Sequence, residues 1–284
     1  VRCLFLLIFF FPGQALAALV LSPPAVDSGG VALLRWEGAS PSLAVARFNE
    51  RVIYLSPTGS GAAALLGTDV ELPAGDYPIT LAVVDRGGGT SFHRTTLVVR
   101  SSSRPVERLT LPEAMVEPVD PDVLERIGSE HRMLTELFGR QDRPALWKTF
   151  SLPVSDPVSS SFGLRRILNG KPRSPHSGVD FRSPRGTPIR AAAEGIAVFT
   201  GDLYYTGNTV VLDHGEGLYT LYAHLDTVDC RTGERLEAGA ALGRVGSSGR
   251  STGPHLHWGG KLRGDRIDPL ALVKLFGELG EEKP

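Results

Sequence analysis

Five of the seven histidines in this 284-residue chain fall between positions 176 and 257. Four of them stand in suggestive company: His176-Ser-Gly-Val-Asp180, Tyr222-Ala-His224-Leu225 and Gly253-Pro-His255-Leu-His257. Imidazole nitrogens and carboxylate oxygens are good zinc ligands, and a catalytic zinc uses three protein ligands and keeps one position open. The helical His-Glu-x-x-His arrangement is absent, so a base would have to come from elsewhere in the chain. Residues two apart in a strand point the same way, which sets His255 and His257 on one side with Cα atoms about 6.6 Å apart. His176 and Asp180 would lie about 13 Å apart in an extended strand, too far for one ion. The chain must therefore bend between them, and Gly178 is the residue that permits it. Pro175, Pro184 and Pro188 argue against a helix here, so a turn leading into a strand is expected.

The surrounding elements read as mainly β. Glycine and proline number 33 and 21, a usage that suits short strands and turns better than helices. The 42% hydrophobic share allows a sizeable core, and a net charge of −1 gives no basic field of the kind that draws nucleic acid. Two cysteines, Cys3 and Cys230, cannot build a disulfide framework or a thiolate metal cluster. Arg2, the apolar run Leu4 to Phe11 and the Ala15-Leu16-Ala17 ending read as a signal peptide over 1–17. Its apolar run falls short of the roughly 20 residues that span a bilayer. The expectation is an exported, periplasmic or cell-envelope protein with no stable membrane span after cleavage, and with Cys230 as its one remaining, inert thiol.

From 18 to 100, apolar stretches at Val31–Trp36, Leu43–Phe48, Val52–Leu55, Tyr77–Val84 and Phe92–Val99 alternate with turn residues. They suggest an immunoglobulin-like β-sandwich. Its His93 reads as a packed or surface residue. Residues 101–150 form a linker with a helix: Asp120 caps, Pro121 opens and Gly139 closes an apolar stripe at helical spacing. Either that stripe packs on a neighbouring domain, the preferred reading, or the segment lies over a groove and restrains it. From 151 to 284 strands and turns return, with a helix at the end.

The stretch from Ser160 to Pro269 closely resembles the M23 peptidases, the lysostaphin-type zinc metallopeptidases of peptidoglycan. The matching pieces are Ser161-Phe-Gly-Leu-Arg-Arg, His176-Ser-Gly-Val-Asp180-Phe, Gly207-Asn-Thr-Val, Tyr219-Thr-Leu-Tyr-Ala-His224-Leu and Gly249-Arg-Ser-Thr-Gly-Pro-His255-Leu-His257-Trp. The resemblance implies an antiparallel β-domain with a loop-bordered groove. It implies one Zn2+ per chain on His176, Asp180 and His257, with His224 and His255 beside the reacting water as acid, base or oxyanion partner. It does not divide those roles between the two. The pattern departs at Gly259-Gly260, where many relatives have a glutamate and an apolar residue.

The activity so implied is hydrolysis of amide bonds in peptidoglycan crosslinks, either D-alanyl links to a diamino acid or glycine bridges. Some members have lost ligands and only activate other hydrolases. The alternative reading is therefore a catalytically silent regulator of a cell-wall amidase, and a third is a wall-binding module with a structural zinc. The full set of five residues favours the enzyme. Between Pro157 and Ala193 stand seven basic residues and one acid. Arg165 and Arg182 are thus candidates to hold the carboxylates of peptidoglycan, unless they simply face solvent. His214 is expected to be structural or at the surface, Asp213 and Glu216 to be solvated turn acids and Glu194 to cap a turn. The N-terminal domain is open to three roles: binding the wall, binding a cell-envelope protein partner or holding the enzyme latent.

Overall fold

The computed structural model describes residues 17–110 and 113–281; the leader expected over 1–17 falls, Ala17 apart, outside them, as does Cys3. The chain is mainly β. Strands at Ala18–Ser22, Val31–Glu37, Gly61–Gly67 and Ser56–Thr58 form one four-stranded sheet. A second, five-stranded sheet runs in the order Ala25–Asp27, Thr90–Arg100, Gly75–Val84, Leu43–Phe48 and Arg51–Tyr54. Alternation explains the pairing: Ala44, Ala46, Phe48, Ile79, Leu81 and Val83 of one sheet share a core with Ala32, Leu34, Trp36 and Leu66 of the other. All five expected strands lie within two residues of their observed ends, Val52–Leu55 being displaced by one to Arg51–Tyr54.

The strand Gly61–Gly67 was not expected, because Gly-Ala-Ala-Ala-Leu-Leu-Gly shows no alternation. Its continuous apolar run has a physical reason: both faces are covered. Ala62, Ala64 and Leu66 enter the core of the N-terminal sheets, while Leu65, with Val31 and Leu33, enters the core of the C-terminal half. Polar ties reinforce this shared layer. Arg266 pairs with Asp69 at 2.6 Å and Glu71 at 2.5 Å, and Arg51 pairs with Asp265.

The C-terminal half is built on a ten-stranded sheet whose main path is Val158–Ser160, Gly178–Phe181, Leu256–Leu262, Leu218–Val228, Gly207–Asp213, Gly195–Leu203 and Arg235–Leu236. All its ladders are antiparallel. The connecting segment contributes a short strand, Val106–Leu109, and two helices, α1 (Glu113–Val116) and α2 (Pro121–Gly139). Asp120 caps α2 by accepting from the Asp122 amide at 2.9 Å, with Pro121 in the first turn. Leu137 and Phe138 bury against Val211 and Tyr219 of the sheet, the Phe138 and Tyr219 rings meeting edge-on at 5.4 Å. A third helix, α3 (Pro269–Glu281), packs Leu272 and Leu275 into the C-terminal core. Among the described residues no helix is long and apolar enough to cross a membrane.

A candidate metal centre in a divided groove

Two neighbouring strands set the centre. Gly178–Phe181 pairs antiparallel with Leu256–Leu262 so that Asp180 lies directly opposite His257. Cross-strand neighbours present their side chains to one face, and here Asp180 Oδ1 stands 2.8 Å from His257 Nδ1. His176 precedes the strand. Its amide donates to Leu164 O and its Nδ1 to Ser161 O at 3.0 Å, which turns Nε2 inward, 3.0 Å from both Asp180 Oδ1 and His257 Nδ1. The chain does bend ahead of the strand, but Gly178 serves another purpose than expected. A Cβ there would lie 2.5 Å from Trp258 O and 2.7 Å from His257 Cε1, so the glycine makes room for the imidazole ring rather than for a turn.

His224 reaches the site by a different device. The pairing between 207–213 and 218–228 slips between Tyr222 and Leu225, and His224 sits in that irregularity with φ +63°. A left-handed non-glycine residue costs on the order of 1–3 kcal/mol and is found where surrounding structure enforces it. Here the His224 amide donates to Thr206 O and its Nδ1 to Ser248 O at 2.8 Å. His255, just before its strand, donates Nδ1 to Gly253 O at 2.8 Å. The His224 and His255 rings lie 4.7 Å apart, and His224 lies 6.1 Å from the His257 ring. All five expected residues therefore converge.

The donor set fits a metal. His176, Asp180 and His257 each offer one ligand atom, all within 4.8 Å of one another; His176 and Asp180 are buried and His257 is partly so. Tetrahedral ligands at about 2.05 Å from an ion stand roughly 3.3 Å apart, so the observed 2.8–3.0 Å contacts need only a slight opening. Two imidazoles and a carboxylate with room beside them make a catalytic rather than a closed structural set for zinc. Burial alone would raise the Asp180 pKa, but hydrogen bonds from His176 and His257 hold it well below the usual carboxylate range. Burial, aided by His257 and His255, pushes His224 down to about 3, so its ring is neutral near pH 7.

Around the five residues the groove has two cavities of about 290 and 410 Å³. Arg166, Leu168, Arg250, His224 and His257 border both. Glu107, Leu109 and Arg182 line the first, while Val116, Arg173 and Tyr205 line the second. In the connecting segment α2 packs on the sheet, as preferred, and Glu107, Leu109 and Val116 on either side of 111–112 border the groove. Of the two arginine candidates, Arg182 lines the groove, while Arg165 is exposed and lines neither cavity. Its neighbour Arg166, overlooked in the sequence, faces inward instead. Much of the basic rim is already neutralised, since Glu117 pairs with Lys171 and Arg173, Glu107 with Arg166 and Asp226 with Arg185.

Three readings of single residues need correction. Asp213 is buried and paired with Arg143 at 3.0 Å, not solvated. Glu216 accepts from Ser56 across the interface between the two halves, and Glu194 pairs with Arg235 at 2.5 Å rather than capping a turn with its side chain. His214 is structural: fully buried, it donates to Glu194 O and accepts from Thr220 Oγ1. Cys230 is buried, and burial pushes its thiol up to about 11.

An antiparallel β-groove carrying a His2Asp donor set and two further imidazoles is the architecture of a metallopeptidase. The chain belongs to peptidase family M23: residues 174–269 match the family model described as peptidase family M23. A solved structure of a putative peptidase M23 from Pseudomonas aeruginosa is 31% identical, with a TM-score of 0.67, covering 87% of this chain and 94% of that one. Among curated proteins, the DD-carboxypeptidase/endopeptidase Mpg of Neisseria meningitidis is 40% identical over 122 residues, 43% of this chain and 28% of the relative. The peptidoglycan DD-endopeptidase ShyA of Vibrio cholerae is 38% identical over 114 residues, 40% of this chain and 26% of the relative. The matches thus span little more than a quarter of these curated relatives' length.

Proposed function

We propose that this protein is a zinc endopeptidase that hydrolyses amide bonds in peptidoglycan peptide crosslinks in the cell envelope. The observation that carries the reading is the convergence of His176 Nε2, Asp180 Oδ1 and His257 Nδ1, with the paired rings of His224 and His255 beside them. Two relatives named as endopeptidases, one of them for peptidoglycan, support the substrate class. We read the organisation as a leader over 1–17, a β-sandwich over 18–100, a linker with helix over 101–150 and a peptidase domain over 151–284, in an exported protein.

His176, Asp180 and His257 would hold the zinc, which when bound supplies Lewis-acid and water-activating chemistry at neutral pH. His224 and His255 do the proton work. Each gives its Nδ1 hydrogen to a backbone carbonyl, Ser248 O and Gly253 O respectively, which leaves Nε2 as the basic nitrogen. Through that free Nε2, one ring takes a proton from the attacking water and delivers it to the departing amine, and the other, once its own Nε2 carries a proton, donates to the oxygen on which charge develops. Arg182 offers a guanidinium on the groove wall to the carboxylates of the peptide.

The test is incubation of the purified protein with peptidoglycan, with and without a chelator. New amines released only in the presence of zinc support the reading. Zinc-loaded protein that releases none, yet stimulates a cell-wall amidase, would establish the regulator instead.

A further inference from the structure

We infer that Arg166 is a positioning residue for Asp180, and that Glu107 on the connecting segment allows an arginine to hold that place. The inference rests on the metal-centre reading above and extends it to residues outside the 174–269 family match.

The two oxygens of Asp180 have different partners. Oδ1 faces His257 Nδ1 and His176 Nε2, at 2.8 and 3.0 Å. Oδ2 accepts from Arg166 Nη2 at 3.2 Å. A carboxylate is two-fold about its last torsion, so a contact on one oxygen alone fixes which edge it presents and at what tilt. Arg166 is itself gripped from the far side. Its Nε donates to Glu107 Oε2 at 3.0 Å, and Glu107 Oε1 accepts from Ser160 Oγ at 3.2 Å. The backbone sets this arrangement, because Val106–Leu109 lies parallel to Arg165–Leu168 with Glu107 in register with Arg166.

Charge explains why Glu107 is needed. A guanidinium drawing on Asp180 weakens the carboxylate as a donor and puts positive charge near a divalent cation. Alone it would work against metal binding. Paired with Glu107 it becomes a nearly neutral unit that keeps its geometry and loses its field. Asp180, Arg166 and Glu107 thus alternate in sign from the centre outward to the connecting segment. The competing account is that the Glu107–Arg166 pair only fastens that segment to the domain. The two accounts differ in what they do to metal affinity.

The experiment measures the zinc Kd of the full chain by competition with a chromophoric chelator, beside the melting temperature of the metal-free protein. Variants are Arg166→Ala, Arg166→Lys, Glu107→Gln and the double Arg166→Ala/Glu107→Gln, with His257→Ala as control. Arg166→Ala is expected to weaken zinc binding by about 10- to 100-fold, the usual effect of losing a partner behind a ligand. Arg166→Lys should recover part of that loss, and Glu107→Gln should weaken binding by about 10-fold. The double variant should be no worse than Arg166→Ala, because Glu107 acts through Arg166. Zinc affinity within threefold of wild type in Arg166→Ala and Glu107→Gln would overturn the proposal. So would losses that only track the melting of the metal-free protein. Should Arg166→Ala fail to fold, Arg166→Lys and Glu107→Gln decide. Undiminished zinc in His257→Ala would instead sink the metal-centre reading itself.

Discussion

His176 Nε2 lies 3.0 Å from Asp180 Oδ1, although an extended chain would hold these residues about 13 Å apart. The closeness comes from the segment before the strand. His176 is pinned to Leu164 and Ser161 by its amide and ring, and the strand only begins at Gly178. The pair is thus assembled by two contacts from a loop outside the His-x-x-x-Asp motif.

The first expectation concerns the ligands. Replacing His257 or His176 by alanine, or chelating the wild type, should lower kcat/KM by about 1000-fold or more, the scale of several kcal/mol of transition-state stabilisation. Elemental analysis should find one zinc in the wild type and none in His257→Ala. Full turnover in the metal-free protein would contradict the mechanism.

A second expectation separates binding from proton transfer. His224→Ala and His255→Ala should each retain zinc but lose about 100-fold or more in kcat, the usual scale for one acid, base or oxyanion group. Unchanged turnover in a zinc-loaded His255→Ala protein would remove that residue from the reaction.

Gly178→Ala should behave like a ligand variant although it carries no ligand. The added methyl would press on Trp258 O and the His257 ring, both under 3 Å away, so the ring must move. Zinc content and activity should fall together while the far-ultraviolet circular dichroism stays close to native. Normal zinc binding in this variant would show that the strand pair has more room than its geometry indicates.

Acid should destabilise the fold through a histidine outside the site. Burial pushes His214 down to about 4 from the ordinary histidine value of about 6.5, so the folded state holds it neutral while the unfolded chain protonates it. The unfolded state then binds more protons, and stability falls as pH drops from about 6.5 towards about 4, by about 3 kcal/mol in total. Thermal melts across this range should show the slope, and His214→Gln should flatten it. An equal slope in the variant would assign the effect to other groups.

The site was legible because its chemistry sits in short motifs of fixed order, and because alternation places His255 and His257 on one side of a strand. Helix α2 was legible for a similar reason, since its cap, its first-turn proline and its stripe are all local. What stayed hidden depends on register between distant strands. Nothing in Arg165-Arg166 says which guanidinium turns inward until Val106–Leu109 pairs with that strand. Asp213 looked like a turn acid because Arg143, its partner, lies 70 residues away. Gly61–Gly67 gave no strand pattern because burial on two faces erases alternation.

Val31, Leu33 and Leu65 look away from their own sandwich and into the other half of the molecule. A shortened protein starting near residue 150 would therefore open a greasy seam to water and forfeit the anchors for Arg266 and Asp265. Such a fragment should precipitate or pair with itself before its catalysis can be judged, and heating the intact protein should give one melting step rather than two.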